Sequence, residues 1–274
     1  MLGPLGRFPQ RVARAVNARL RRGRERLLEL RYGVSTAEHV YHEDLGLDTE
    51  NRVWHDPSDW IAIRKALAPL RVGPDDVFVD FGSGLGRALI VASTLPFRRV
   101  VGVELAAELN TRARRNLVRS RIRRRAGKVE VITADALEWP IPPDLTVAYL
   151  YCPFTGDVFR RVIDKLLESL DENPRPLRLV YNYPFEHNQL LRTGRLRVLS
   201  VIPATWPRKT SAADVIVTYL VLPRDEALAA EYIARFPRRI GRSGEWLSEY
   251  EPGFALEKPA RLGGVVAERP AGKP

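Results

Sequence analysis

The sequence predicts an α/β fold: a seven-stranded, mostly parallel sheet with helices on both faces and a C-terminal antiparallel β-hairpin. Three observations carry this. From Val77 onward, short apolar runs alternate with helical patterns at regular spacing, which is how a parallel sheet covered on both faces reads. The last two apolar runs, residues 196–202 and 214–222, have no helix between them, so they are expected to pair antiparallel at an edge. Finally, 45% of the 274 residues are hydrophobic, enough to bury a full core, which excludes global disorder.

In chain order, residues 9–31 read as a basic helix, with Val12, Val16 and Leu20 four apart, Leu27, Leu28 and Leu30 following, Gly23 interrupting and Gly33 as the stop. Residues 32–60 are mixed in type and read as an irregular or partly helical lead-in. A helix over 58–70 is capped by Ser58 or Asp59 and ends before Gly73-Pro74. Strands then fall at 77–81, 100–104, 129–133, 145–151 and 177–183. Helices fall at 87–95, 106–119 and 157–170, with a short one near 186–191. The two runs of the final hairpin are separated by a loop holding Trp206, Arg208 and Lys209. Residues 226–236 suit a helix, and beyond them Pro, Gly and charged residues dominate. The division is therefore 1–60, an N-terminal basic helix and helical cap; 61–222, the core; and 223–274, an extension with a mobile end. No internal repeat is evident.

Charge is unevenly placed. Of the net +11, residues 1–31 carry +7 from nine arginines and two glutamates, and residues 108–128 carry +8. The remainder is slightly acidic. No run approaches the roughly 20 apolar residues of a membrane span. The N-terminus lacks an apolar signal segment, and a single cysteine, Cys152, excludes an internal disulfide. A cytoplasmic location is the expectation.

The most informative stretch is Val79-Asp80-Phe81-Gly82-Ser83-Gly84-Leu85-Gly86-Arg87. It leaves a strand and opens a helix, where glycines admit a close ligand and free N–H groups favour a carboxylate or phosphate. The dinucleotide pattern G-x-G-x-x-G needs glycine at 87, where arginine stands. Glu104 ends the second strand, suited to both hydroxyls of a ribose. Asp135 follows the third, suited to an adenine amine, and Asp80 is suited to an ammonium group. A ligand with an amine, a carboxylate, a ribose and an adenine is S-adenosylmethionine. On these residues, residues 61–222 resemble the class I S-adenosylmethionine-dependent methyltransferases, with their Rossmann-like core. The resemblance implies Asp80, Gly82, Gly84, Gly86, Glu104 and Asp135 as the cofactor set.

After the fourth strand comes Tyr149-Leu150-Tyr151-Cys152-Pro153-Phe154. This corner is similar to the N-P-F variant of some bacterial methyltransferases and of Dot1-type relatives, with Cys152 in place of the asparagine. The resemblance implies that it faces the transferring methyl group, which makes Tyr151 and Cys152 the catalytic candidates. Tyr183, Glu186 and His187 are second choices, His187 having the character of a surface residue at a helix start. The acceptor expected is a nitrogen or oxygen of a small molecule or protein. RNA gripped by the arginine patches, and a cofactor-binding scaffold that has lost catalysis, are the alternatives. The N-terminal basic helix also suits peripheral contact with an anionic membrane. Residues 54–60, with Trp54, His55 and Trp60, suit either closure over the cofactor or an N-cap with packing tryptophans. His39, His42, Glu43 and Asp44 are of metal-binding type, but three of them are adjacent and no metal site is expected. On this division, loss of residues 1–31 leaves cofactor affinity intact.

Overall fold

The computed structural model describes residues 7–40, 57–204 and 215–239, with side chains of the first helix described at Val16 and from Arg19 on. Its elements are α1 (Arg7–Tyr32), α2 (Trp60–Leu67), β1 (Val77–Phe81), α3 (Arg87–Ala92), β2 (Arg99–Glu104), α4 (Ala107–Arg119), β3 (Lys128–Thr133) and β4 (Val147–Tyr151). Then follow α5 (Gly156–Glu172), β5 (Leu177–Asn182), α6 (His187–Arg192), β6 (Leu196–Pro203), β7 (Val215–Val221) and α7 (Glu226–Arg235).

The seven strands form one sheet in the order β3-β2-β1-β4-β5-β7-β6. β1 to β5 are mutually parallel, and β7 runs antiparallel to both of its neighbours. The C-terminal pair is thus antiparallel, as its sequence requires. Its second strand does not lie at the edge: β7 is inserted between β5 and β6, and β6 is the margin. Strand order reverses at β1, whose neighbours are β2 and β4, so a crevice opens beyond the C-terminal ends of β1 and β4.

Alternation along β1 feeds two cores. Val79 and Phe81 pack with Leu150, Tyr181 and the apolar face of α5, including Phe159, Ile163 and Leu166. Phe78 packs on the opposite face with Tyr149, Val180, Trp60 and Ile63 of α2, and Leu89 and Ile90 of α3. Each large side chain buried in this way contributes roughly 1.5–3 kcal/mol.

Two helices are shorter than their periodicity implies. The stretch 58–70 divides into α2 and a 3-10 turn, Ala68–Leu70, around Pro69. Pro69 has no N–H to continue the ladder. Asp59 is the cap, its Oδ1 accepting from the Ile61 and Ala62 amides at 2.8 and 3.1 Å. α3 stops at Ala92 because the hydroxyls of Ser93 and Thr94 donate to the Ile90 and Val91 carbonyls at 2.8 and 2.7 Å.

Candidate functional site

The glycine loop joins β1 to α3 with φ of 78°, 51° and 85° at Gly82, Gly84 and Gly86. All three lie in the left-handed region that glycine alone enters without cost. The Gly82 and Ser83 amides donate to the Val103 carbonyl at 2.8 and 3.1 Å, which ties the loop to β2. A Cβ on Gly82 would lie 2.5 Å from Pro153 Cβ, so the loop and the corner after β4 touch.

Asp80 lies one residue before the end of β1, in register with Gly102 on β2 and Tyr149 on β4. It is only 3% exposed. Burial, reinforced by the Glu104 carboxylate, pushes its acid well above the usual carboxylate range. Its side chain makes no hydrogen bond to a described residue. Ser83 Oγ, also buried, is likewise unpartnered.

Glu104 is buried at the end of β2. Its Oε2 accepts from the Gly84 amide at 2.9 Å and its Oε1 from the Ala106 amide at 3.0 Å. Burial raises its acid, and these amides oppose the rise. A carboxylate has about four lone-pair sites, so acceptor capacity remains for hydroxyl donors. Asp135 heads the turn after β3, with Oδ1 accepting from the Leu137 amide at 2.9 Å. That turn is stapled from α5 by Lys165, whose ammonium donates to the carbonyls of Ala136, Leu137 and Trp139 at 3.0, 2.5 and 2.8 Å. Sequence reading missed Lys165, because no local pattern links a helix face to a turn about thirty residues earlier.

At the corner, Tyr151 is half-buried and its ring lies 5.6 Å from that of Tyr183. Cys152 is buried and adopts φ 41°, and Tyr183 adopts φ 52°. These conformations cost of order 1 kcal/mol or more in residues with a Cβ. The two positions are equivalent. Tyr151 pairs with Asn182, so Cys152-Pro153-Phe154 after β4 and Tyr183-Pro184-Phe185 after β5 leave adjacent strands side by side. The doubled Pro-Phe was a visible signal, and the search for repeats overlooked it because the match is only two residues long.

Behind these corners lies a polar cluster that sequence reading also missed. Tyr149 Oη and Ser58 Oγ lie 2.9 Å apart, and Asn182 Nδ2 donates to Ser58 Oγ and Tyr149 Oη at 3.2 and 3.3 Å. Asn182 Oδ1 is buried without a partner among the described residues. Burial, with smaller help from Asp80, raises the Tyr149 phenol and keeps it protonated. His187, expected at the surface, is instead 1% exposed, with Nδ1 2.6 Å from Tyr219 Oη. It faces Tyr219 of β7. Glu186 Oε1 accepts from the Gly156 amide at 2.8 Å, joining the two corners.

Arg87, the residue that breaks the dinucleotide pattern, is 4% exposed and anchors α1 to the loop. Its Nη1 donates to Glu25 Oε2 at 2.5 Å and the Ser58 carbonyl at 2.8 Å, and its Nη2 to Glu29 Oε1 at 3.2 Å. Its Nε donates to Thr36 Oγ1 at 2.8 Å, and its guanidinium lies 4.9 Å from the Trp60 ring centroid. Glu25 and Glu29 are the two glutamates of the basic N-terminal segment. Trp60 is a core residue packed on Tyr32 with centroids 5.1 Å apart, and Trp54 and His55 lie outside the described residues.

His42, Glu43, Asp44, Trp206, Arg208 and Lys209 also lie outside the described residues. Among the described residues no group of three His, Cys, Asp or Glu side chains is placed to hold a metal, and no helix is long and apolar enough to cross a membrane. A cavity of about 710 Å³ opens at the opposite, N-terminal ends of the strands, lined by Asp76, Thr146, Arg178 and Phe236 among others. It contains none of the loop or acid residues.

No protein-family model and no curated protein matches the sequence. Solved structures resemble the fold. One is an RNA methyltransferase from Salinibacter ruber in complex with S-adenosyl-L-homocysteine, at 25% identity over 62% of this chain and 95% of that one, with a TM-score of 0.43. Another is an M. jannaschii tRNA m1G37 methyltransferase, at 15% identity over 64% and 55%, TM-score 0.44. A third is a Haemonchus contortus phosphoethanolamine N-methyltransferase 1 in complex with phosphoethanolamine and S-adenosylhomocysteine, at 13% identity over 64% and 46%, TM-score 0.46. The chain spans about half the length of the last two. The fold assignment itself rests on strand order and register: a seven-stranded Rossmann-like sheet whose penultimate position is filled by an antiparallel β7.

Proposed function

We propose that this chain, folded as a class I methyltransferase, binds S-adenosylmethionine and transfers its methyl group to a nitrogen or oxygen of a small-molecule or protein acceptor. The observation that carries the reading is the convergence, at the β1–β4 switch point, of the left-handed glycine loop with two buried carboxylates, Asp80 and Glu104. A buried carboxylate without a hydrogen bond is costly alone and is relieved by a cationic group beside it. The residues present therefore fit a ligand bearing an ammonium group.

In this reading Asp80 meets the ammonium and the loop amides meet the carboxylate. Glu104 accepts from ribose hydroxyls, and Asp135 accepts from the adenine amine on a turn fixed by Lys165. The group supplies an electrophilic methyl on a sulfonium. Tyr151, its ring tilted against that of Tyr183, orients the acceptor, and Cys152 lines the wall beside Pro153. Orientation is the main contribution asked of these side chains, since a held nucleophile needs a base only if it arrives protonated.

Calorimetry with S-adenosylhomocysteine tests the reading. Wild type is expected to bind, Gly84→Arg to abolish binding and Glu104→Ala to weaken it. Absence of binding by wild type, or unchanged affinity in both variants, would sink the proposal. Radiolabelled methyl transfer into cell extract, sorted into protein, small-molecule and RNA fractions, then identifies the acceptor class.

A further inference from the structure

α1 is amphipathic, but it is turned inside out. Its core-facing positions are Arg24, Glu25, Leu28, Glu29 and Tyr32, a mostly charged stripe held by Arg87 and by the Arg24–Asp59 ion pair. Its outward positions carry the aliphatic side chains: Val16 is 49% exposed, Leu20 58%, Leu27 69% and Leu30 68%. At 100° per residue these four fall within an arc of about 80°. Arg19, Arg26 and Arg31 border the stripe, and with Arg22 they are exposed and make no ion pair with a described residue. Both glutamates of the helix are turned away from this face.

The second arginine patch meets the first in space. The Arg121 amide donates to the Tyr32 carbonyl at 2.8 Å. Asn116 of α4 bonds both the amide and the carbonyl of Ser35, at 3.0 and 2.9 Å. Arg115, Arg119, Arg123 and Arg125 are exposed beside this junction, without ion pairs to described residues. Among the described residues one other large aliphatic side chain is strongly exposed: Val118 of α4, at 84%. Solvent-facing apolar surface and unneutralised arginine therefore coincide on α1 and the end of α4.

We propose that this face is a docking surface for an anionic membrane, with α1 lying in the interface plane. Its leucines enter the acyl boundary and its arginines bind lipid phosphates. Charge decides against a second copy of the chain: two helices of net +7 with no outward carboxylate repel one another. Chemistry decides against RNA as the occupant, because the exposed side chains between the arginines are aliphatic and offer no stacking surface to bases. An aliphatic ridge bordered by arginines is instead the pattern of an interfacial helix. The proposal does not rest on methyl transfer, and its readout is independent of cofactor.

The experiment is sedimentation of the full chain with vesicles of phosphatidylcholine alone or with roughly one-third phosphatidylglycerol. Binding is expected only to the anionic vesicles and is expected to weaken with salt. Leu20→Ser/Leu27→Ser and Arg19→Gln/Arg26→Gln should each lower partitioning by about tenfold or more while thermal stability is retained. No binding to anionic vesicles overturns the proposal, as does binding indifferent to the leucine changes. It is equally overturned if the leucine changes instead abolish a dimer in analytical ultracentrifugation, or if the chain binds RNA at concentrations where it ignores vesicles.

Discussion

Replacing Arg87 with alanine is expected to unfold the connection between α1 and the glycine loop. The change removes four hydrogen bonds and a ring contact, and leaves Glu25 and Glu29, 19% and 15% exposed, without their shared cation. Breaking a buried ion pair from one side costs about 3–5 kcal/mol. Because both carboxylates keep some contact with water, the lower end, about 3 kcal/mol, applies here. For a chain of this size that lowers Tm by about 6–12 °C. Arg87→Lys should recover only part of it, since one ammonium cannot reach Glu25, Glu29, Thr36 and Ser58 together. Denaturant titration of Arg87→Ala, Glu25→Ala and the double variant gives the coupling, expected at about 1–3 kcal/mol. A cost below about 1 kcal/mol for Arg87→Ala, or additivity in the cycle, would refute the reasoning. The same clamp changes the expectation for truncation. Charge alone made residues 1–31 look separable, but their loss strips Arg87 of both carboxylates and Asp59 of Arg24, so the shortened chain should lose stability and cofactor affinity together.

Asp80→Asn should raise the thermal stability of the ligand-free chain at neutral pH while weakening S-adenosylhomocysteine binding. Because the folded acid sits above its unfolded value, Asp80 favours folding fully below about pH 4 and loses that contribution as pH rises through the folded value. Tm against pH should show that decline in wild type and a flatter profile in the variant, whereas cofactor affinity falls as pH falls; identical Tm profiles would contradict the assignment. Gly82→Ala places a Cβ 2.5 Å from Pro153 at φ 78°, and should cost about 1–3 kcal/mol in backbone strain alone, read by denaturation. Lys165→Met releases three carbonyls of the 136–139 turn and should cost about 1–3 kcal/mol, with S-adenosylhomocysteine affinity reduced several-fold; calorimetry showing wild-type affinity would separate the turn from the site.

The parallel strands were legible because each is a short apolar run bounded by turn residues, and β1 runs over Val77–Phe81 as its sequence indicates. The glycine loop and its acids were legible because their chemistry is local to strand ends. What escaped depends on distant partners. Hydrophobic spacing identified α1 as a helix, yet periodicity does not say which face meets the core, and here the charged face does. Nothing near Arg87 in the sequence announces its structural role, which comes from Glu25 and Glu29, about sixty positions earlier. His187 lies at a helix start and was expected at the surface, but Tyr219, on a strand thirty-two positions later, lies beside it. Asn182 was read within a strand, and only the register of β4 against β5 brings it to Tyr149 and Ser58.

The placement of β7 sets the order in which the molecule can be completed. As the chain leaves the ribosome, β6 emerges before β7, yet its sheet partner is β7, and the open side of β5 waits for the same strand. Until residues 215–221 are synthesised, β6 has no place in the sheet and β5 presents an unpaired edge to other chains. A stop codon that falls after β5 and before Val215 therefore removes more than a tail. It leaves a sheet that ends at β5, beside the corner of Tyr183, with its amides exposed to association.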